Sequence, residues 1–245
     1  VLPESLQPFF IFLAVYMPHS YQVNDRHRVI ADRVFTRAEL GLPTNGFVFC
    51  CFNNNHKILP KTFDSWMRIL HAVPGSVLWL LQDNVAAAEN LIYEAKNRGI
   101  SEDRLIFASR APVDEHLARH RVADLFLDTL PYNAHTTTSD ALWSGLPVLT
   151  LKGHAFAGRV AASLLTAVGL PELVTHTEQD YESQAIHLAT CPEDLAAVRE
   201  KLRKLLPDSP LFDGQRFTRN LEKAYQIMFQ RQCAGLPHEI ISISE

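Results

Sequence analysis

At 245 residues, with 47% hydrophobic and 20% charged side chains, the chain has the composition of an ordinary globular protein, with length for one large domain or one domain plus part of another. Its 23 basic and 27 acidic residues leave a net charge of −4, and no basic block stands out, which argues against a nucleic-acid footprint. Four cysteines, two of them the adjacent Cys50-Cys51 in an apolar stretch, offer no disulfide framework and point to a reducing, cytoplasmic setting, and no apolar run is long enough to span a bilayer.

In chain order, residues 1–33 do not read as a complete unit. The apolar run Phe9 to Val15 lacks a basic segment before it, so it is not taken as a signal peptide. This stretch reads as the tail of an upstream domain plus a linker, and a chain that opens on Val1 reads as a piece of something longer. After the turn signals Gly41-Leu42-Pro43 and Asn45-Gly46 a strand–helix rhythm begins. Strands are predicted at Phe47–Phe52, Ser76–Leu81, Arg104–Phe107, Asp124–Asp128 and Pro147–Thr150, with a short sixth at Leu173-Val174. Helices are predicted from near Pro60, from about Val85 to Gly99, after Ala111-Pro112, from His135 to Gly145, and over Ala157–Val168. Three more follow at Glu178–Ala189, Pro192–Leu206 and Gly214–Gln230. Apolar strands alternating with helices imply a parallel sheet covered on both faces, a doubly wound Rossmann-like α/β fold over residues 34–232, with 233–245 as a tail.

The polar residues cluster where such sheets bind ligands, at the carboxyl ends of the strands. Asn54 and Lys57 follow the first strand, His116 and Arg119 lie on the helix after the third, and His135-Thr136-Thr137 with Asp140 follow the fourth. Hydroxyls at a helix start cap its free N–H groups, and those groups with the helix dipole can hold an anion. Lys57 would add a point charge, and Asp140 can accept hydrogen bonds from sugar hydroxyls. Together these suit a sugar nucleotide. Each residue also has a plainer reading: an ordinary helix cap, a solvated lysine, an arginine favouring its helix C-terminus, cysteines that pack a core. His116 and His120 have the spacing of a metal-binding pair but no third ligand beside them, so no metal is expected. There is no GxGxxG after the first strand, no GxxxxGK[ST], no GxSxG and no CxxC, which sets aside dehydrogenase and hydrolase readings.

Several blocks in a fixed order carry a resemblance. Phe52-Asn53-Asn54-Asn55-His56-Lys57-Ile58, Ser76-Val77-Leu78-Trp79-Leu80-Leu81, Ala111-Pro112 with His116, and Asn133-Ala134-His135-Thr136-Thr137 with Asp140 resemble the C-terminal catalytic half of the O-GlcNAc transferases. Gly145 to Thr150 and Arg159 to Ser163 fit as well, and the likeness runs from about Tyr16 to the last helix. Bacterial members with tetratricopeptide repeats and the SPINDLY-type proteins share these blocks.

The resemblance implies the C-terminal half of a GT-B glycosyltransferase that needs no metal or other cofactor and uses a nucleotide-sugar donor. By that resemblance Lys57, in the catalytic role, and Asn54 face the diphosphate. Ala111, Pro112, Val113, His116 and Arg119 border the nucleoside base, His135, Thr136 and Thr137 hold phosphates, and Asp140 takes the ribose. Two positions depart from the family: Val113 stands where the animal enzymes carry a lysine, and Asn54 where a glutamine is frequent. The implied reaction moves GlcNAc from UDP-GlcNAc to a protein Ser or Thr with inversion. Its implied partners are a protein acceptor and, in the same chain, an upstream catalytic half with a repeat region. His19, after Met17-Pro18, is not taken as the active-site histidine, which would lie upstream, so this segment alone is expected to bind donor poorly and transfer nothing. The alternatives are an O-fucosyltransferase of SPINDLY type using GDP-fucose, and a scaffold that keeps the fold without the chemistry.

Overall fold

The computed structural model describes residues 1–9 and 12–244; Phe10 and Ile11 of the N-terminal apolar run, and Glu245 of the tail, lie outside the described residues. Among the described residues eight strands form: β1 (Val15–Tyr16), β2 (Val48–Cys51), β3 (Val77–Leu81), β4 (Leu105–Ala108), β5 (Leu125–Leu127), β6 (Val148–Leu151), β7 (Val174–Thr175) and β8 (Ile241–Ser242). Between and after them run α1 (Pro60–Ala72), α2 (Val85–Asn97), α3 (Val113–Arg119), α4 (Thr136–Trp143), α5 (Val160–Val168), α6 (Glu178–Thr190), α7 (Pro192–Leu205) and α8 (Gly214–Cys233).

Local chemistry explains where the helices start and stop. Pro60 fills the first position of α1, where its missing N–H costs nothing, and Phe63, Trp66, Met67 and Leu70 turn one face inward. The side chains of Asn84, Thr177 and Asp213 accept from the amides of Ala87, Asp180 and Arg216 and so cap α2, α6 and α8. Gly169, at φ +90°, stops α5 in a left-handed turn that a side chain would strain. Helix α5 starts at Val160 rather than Ala157, because Phe156–Gly158 is a separate 3₁₀ turn whose Gly158 carbonyl accepts from Gly153 N at 2.6 Å. Acids in the first turn of α7 and bases in its last follow the helix dipole.

Strands β2 to β7 form one six-stranded sheet in the order β4-β3-β2-β5-β6-β7, all parallel. The side chains of its central strands β2, β3 and β5 are buried on both faces, as a sheet covered by helices requires, and half-buried side chains appear in β4, β6 and β7. Trp66, Trp79, Phe49, Phe52, Phe126 and Phe212 are the largest fully buried side chains of the core. The sequence pattern does not single out the second, two-stranded sheet, in which β1 pairs with β8 from the C-terminal tail; two-residue strands carry no readable period.

The doubly wound topology has one functional consequence. After β2 the chain builds outward through β3 and β4, then returns to lay β5 on the other side of β2. The strand order therefore reverses between β2 and β5, and their carboxyl ends open a crevice there. The segments leaving those two ends are Asn53–Lys57 and Asp128–His135.

Strand β5 is shorter than predicted because the aspartates that flank it bind backbone instead of extending the ladder. Asp124 accepts from Val48 N at 2.8 Å and is held by Arg37 and Arg199. Asp128, 3% exposed, accepts from the amides of Thr129 (2.8 Å) and Ala134 (2.6 Å) and from the Thr150 hydroxyl (2.7 Å). Its backbone carbonyl accepts from Tyr181 of α6 at 3.1 Å, and Tyr181 in turn accepts from Trp66 Nε1 of α1 at 3.1 Å.

Burial pushes the Asp128 carboxyl up to about 7 against the three hydrogen bonds and the Lys57 charge that favour its ionised form. A carboxyl raised in the folded state contributes stability below its unfolded value of 3.8 and loses it as pH climbs to the folded value. Asp128→Asn keeps the acceptor for both amides and removes the proton. Across about pH 4 to 7, the dependence of urea-unfolding free energy on pH should then change by about one proton's worth. An unchanged slope would mean that Asp128 ionises in the folded protein as it does in the unfolded chain.

Candidate functional site

The crevice between β2 and β5 is built from two loops and two helix starts. From β2 the chain passes through Asn53 and Asn54 into a 3₁₀ turn, Asn55–Lys57. That turn sends the half-buried Lys57 across to the other loop, where Nζ donates to the Asn133 carbonyl at 3.0 Å and lies 4.1 Å from the centre of the Tyr132 ring. A cation over an aromatic face is held electrostatically while leaving its other side open. Burial lowers the Lys57 pKa, with Asp128 pulling the other way.

Helix α4 begins directly beside this ammonium. The hydroxyl cap expected there does not form: His135 precedes the helix without capping it, the Thr137 hydroxyl donates to Asn53 Oδ1, and the Thr138 hydroxyl donates to the Ala134 carbonyl. Asn53 is itself locked, its amide donating to Thr129 Oγ1 at 2.8 Å. Thr137 is thus drawn into the β2 loop, and the first-turn amides of α4 lack a side-chain partner. An uncapped helix start beside a lysine is an anion-binding arrangement. Thr136 is exposed at the mouth, and Asn54 is exposed on the turn before Lys57.

The far wall is α3. Pro112 precedes it, Val113 opens it at 63% exposure, and Ala111 lies half-buried before them. Arg119, only 4% exposed, donates to the Ser109 carbonyl and to His116 Nδ1, both at 2.6 Å, and its guanidinium lies 4.9 Å from the Phe52 ring. His116 and His120 pack at 5.2 and 5.0 Å from the same Phe52 ring. Burial brings the histidines down to about 4 and about 3, with Arg119 and Arg28 adding to it, so both rings are neutral at pH 7. His116 Nδ1 is engaged with Arg119 and His120 Nδ1 with the His116 carbonyl, while His120 Nε2 is buried without a hydrogen-bond partner. Phe52 lies buried beneath these side chains at 2% exposure, so the surface left for a heterocycle is the half-buried His116 with the stretch from Ala111 to Val113. Buried Arg119 Nε, Asn55 Oδ1 and Asn133 Oδ1 have no hydrogen-bond partner within the chain, which leaves them available to a ligand.

Asp140, on the inner face of α4, is paired with Arg28, and Trp143 Nε1 donates to the Arg28 carbonyl at 3.1 Å. Burial raises the Asp140 pKa and Arg28 holds it back. Arg28 lies in a strap that crosses the crevice wall: Gln22 donates to Ser139 Oγ, Asn24 to the Leu211 carbonyl, and Ala31 N to the Asp114 carbonyl. On the same side Tyr21 contacts His135 Nδ1 at 3.3 Å and packs edge-on to Phe156. Tyr132 stacks on His135 at 4.9 Å. A cavity of about 470 Å³, lined in part by Tyr16, His19, Tyr21 and Phe156, adjoins this aromatic group.

Lys57, His135, Thr136 and Thr137 therefore meet at one centre, His116 and Arg119 at a second, and Asp140 stands on the strap side. Sequence reasoning overlooked Arg28, Asn53, Tyr21, Tyr132 and Asn133. Asn53 and Asn133 stand inside the quoted motifs and were within reach. Arg28 meets Asp140 across 112 residues of sequence, a pairing that no local pattern announces.

The chain's relatives agree with this architecture. Residues 16–221 match glycosyl transferase family 41. A probable UDP-N-acetylglucosamine–peptide N-acetylglucosaminyltransferase (SEC) of Arabidopsis thaliana is 37% identical over 227 residues, 90% of this chain and 23% of that protein. A Caenorhabditis elegans protein described as a UDP-N-acetylglucosamine–peptide N-acetylglucosaminyltransferase is 39% identical over 84% of this chain and 18% of its own length. A probable UDP-N-acetylglucosamine–peptide N-acetylglucosaminyltransferase (SPINDLY) of Hordeum vulgare is 38% identical over 78% of this chain and 21% of its own length. The chain thus spans less than a quarter of these relatives. Among solved structures, a Thermobaculum terrenum O-GlcNAc transferase superposes with a TM-score of 0.74 at 35% identity, over 88% of this chain and 46% of that one. The doubly wound sheet is the C-terminal half of a GT-B fold, and the chain belongs to glycosyl transferase family 41.

Proposed function

We propose that this chain is the donor-binding half of an inverting, metal-independent glycosyltransferase whose complete form moves GlcNAc from UDP-GlcNAc to a Ser or Thr hydroxyl of a protein. The observation that carries the proposal is the convergence of Lys57 with the uncapped start of α4 at the strand-order reversal. When the acceptor oxygen attacks the anomeric carbon, the bond to the β-phosphate breaks and the nucleoside diphosphate departs with the electron pair. Negative charge grows on that phosphate, and a fixed ammonium and aligned amides favour it without rearranging. Asn54 faces the same diphosphate from the turn before Lys57, and His135 and Thr136 line it from the α4 side.

His116, Arg119 and the chain from Ala111 to Val113 border the base. Val113, exposed and uncharged, stands where by the resemblance the animal enzymes carry a lysine, so that one ribose or phosphate contact is missing. Asp140 takes the ribose hydroxyls while sharing its carboxylate with Arg28. The general base and the repeat region belong to the upstream half, so the isolated chain transfers nothing. The reading also assigns the protein to the cytoplasm, on the cysteine usage of the sequence. Among the described residues no helix is long and apolar enough to cross a membrane.

A second reading, transfer of fucose from GDP-fucose, rests on the resemblance to SPINDLY-type proteins, and the SPINDLY relatives, at 38% identity, lie between the 37% and 39% of the other two. The phosphate-binding half of the site serves both donors; the difference lies around Ala111, Val113 and His116.

In the full-length enzyme, Lys57→Ala should lower kcat by about 10²- to 10³-fold with a much smaller change in donor affinity, since the charge acts most as the diphosphate leaves. Steady-state kinetics with donor varied reads this directly, and an unaltered kcat would remove Lys57 from the chemistry. In the same assay a chelator should leave turnover intact. Calorimetry of UDP and GDP against the full-length protein separates the readings: tighter UDP supports GlcNAc transfer, tighter GDP supports fucosyl transfer, and binding of neither makes the scaffold the leading account.

A further inference from the structure

Away from the crevice, the corner where α6 hands over to α7 gathers three metal-ligating side chains. His187 lies in the last turn of α6, Cys191 joins the two helices, and Asp194 lies in the first turn of α7. Cys191 Sγ is 3.5 Å from His187 Nδ1, and His187 Nε2 is 2.7 Å from Asp194 Oδ2. One ligand atom from each residue lies within 4.8 Å of the other two. The backbone that presents them is rigid. Cys191 N donates to the His187 carbonyl at 2.8 Å, Asp194 N to the Cys191 carbonyl at 3.1 Å, and Pro192 fixes the first position of α7.

The spacing and the donor set match one ion class. Tetrahedral zinc, with Zn–S of about 2.3 Å and Zn–N of about 2.0–2.1 Å, holds sulfur and nitrogen about 3.6 Å apart. The sulfur and nitrogen here already stand at 3.5 Å. Asp194 is exposed, so its carboxylate reaches the ion by turning from the imidazole without disturbing the core. A thiolate and a carboxylate neutralise a dication, and the sulfur–nitrogen–oxygen set favours zinc over magnesium or calcium, which prefer oxygen alone. The fourth vertex faces solvent and takes water. The other cysteines lack this setting: Cys50 and Cys51 are buried in β2 with their pKa values raised by burial, and Cys233 is exposed near the end of α8.

We propose that His187, Cys191 and Asp194 form a zinc site that staples α6 to α7, separate from the donor crevice. On binding, the thiol proton leaves to solvent, the S–Zn bond forms, and no redox change occurs. The site has a structural use. It lies at the far end of α6 from Tyr181, which donates to the Asp128 carbonyl, so the ion adds to the stability of the fold and turnover does not depend on it.

The test is a titration of the full-length, reduced protein with Co²⁺ alone, followed in the near ultraviolet for the thiolate-to-cobalt band, then displaced with Zn²⁺. A Cys191-dependent band is expected with a stoichiometry of one, present in Cys233→Ser and absent in Cys191→Ser. His187→Ala and Asp194→Asn should each weaken the ion at least about tenfold. All four changes fall on exposed or half-buried positions, and Zn²⁺ should raise the Tm of the parent protein but not of Cys191→Ser. A band that survives Cys191→Ser unchanged, the lack of any band, or affinity unmoved by both His187→Ala and Asp194→Asn would overturn the proposal.

Discussion

The site depends on one buried carboxylate. Asp128 stands at the end of β5, and its Oδ1 folds the following loop back on itself by accepting from both the Thr129 and Ala134 amides, while its Oδ2 accepts from Thr150 and so ties it to β6. That closed loop sets the Asn133 carbonyl where Lys57 finds it and delivers the chain to the start of α4. A buried carboxylate is costly in apolar surroundings, and three hydrogen bonds with a lysine within electrostatic reach offset only part of that cost, which is why burial still carries the carboxyl up to about 7. Apolar packing alone would fill the same volume, but it would not aim a carbonyl at one side of a crevice and a helix start at the other.

Around that loop the site shows a division of labour between charged and neutral groups. Lys57 and the α4 amides make a positive centre. A few residues away in space, His116 and His120 are kept neutral by burial and by neighbouring guanidiniums, and pack against Phe52. Arg119 is tied to Ser109 and His116, so it organises a wall rather than standing as a free cation. The sole acid on the α4 face, Asp140, carries its own counter-ion in Arg28.

Much of the architecture was legible in the sequence for a physical reason: strands buried on both faces read as short apolar runs, and prolines and glycines mark the helix limits. The sheet strands β2 to β7 fell within a residue or two of expectation. The candidate residues were legible because they sit in compact motifs next to strand ends. What escaped needs long-range information. The pairing of β1 with β8 joins Val15 to Ile241, and Arg28 reaches Asp140, over separations at which side-chain pattern carries no signal. The hydroxyl run at α4 misled in the opposite sense, since Thr137 had a better partner in Asn53 than in its own helix. Propensity names a cap only when nothing more distant competes for it.

The position of the crevice ties ligand binding to the assembly of the fold. Its two sides come from β2 and β5, which pair Phe49 with Leu125 and Cys50 with Phe126 and are separated in sequence by the whole β3–β4 unit. A chain that had formed only β2, β3 and β4 would hold Lys57 and Arg119 but neither Asn133 nor α4. The site thus comes into being at the seam, when the two halves of the sheet close on each other. Any molecule that bridges Lys57 and the α4 amides contributes its binding free energy to that seam, and occupancy and cooperativity of the domain rise together.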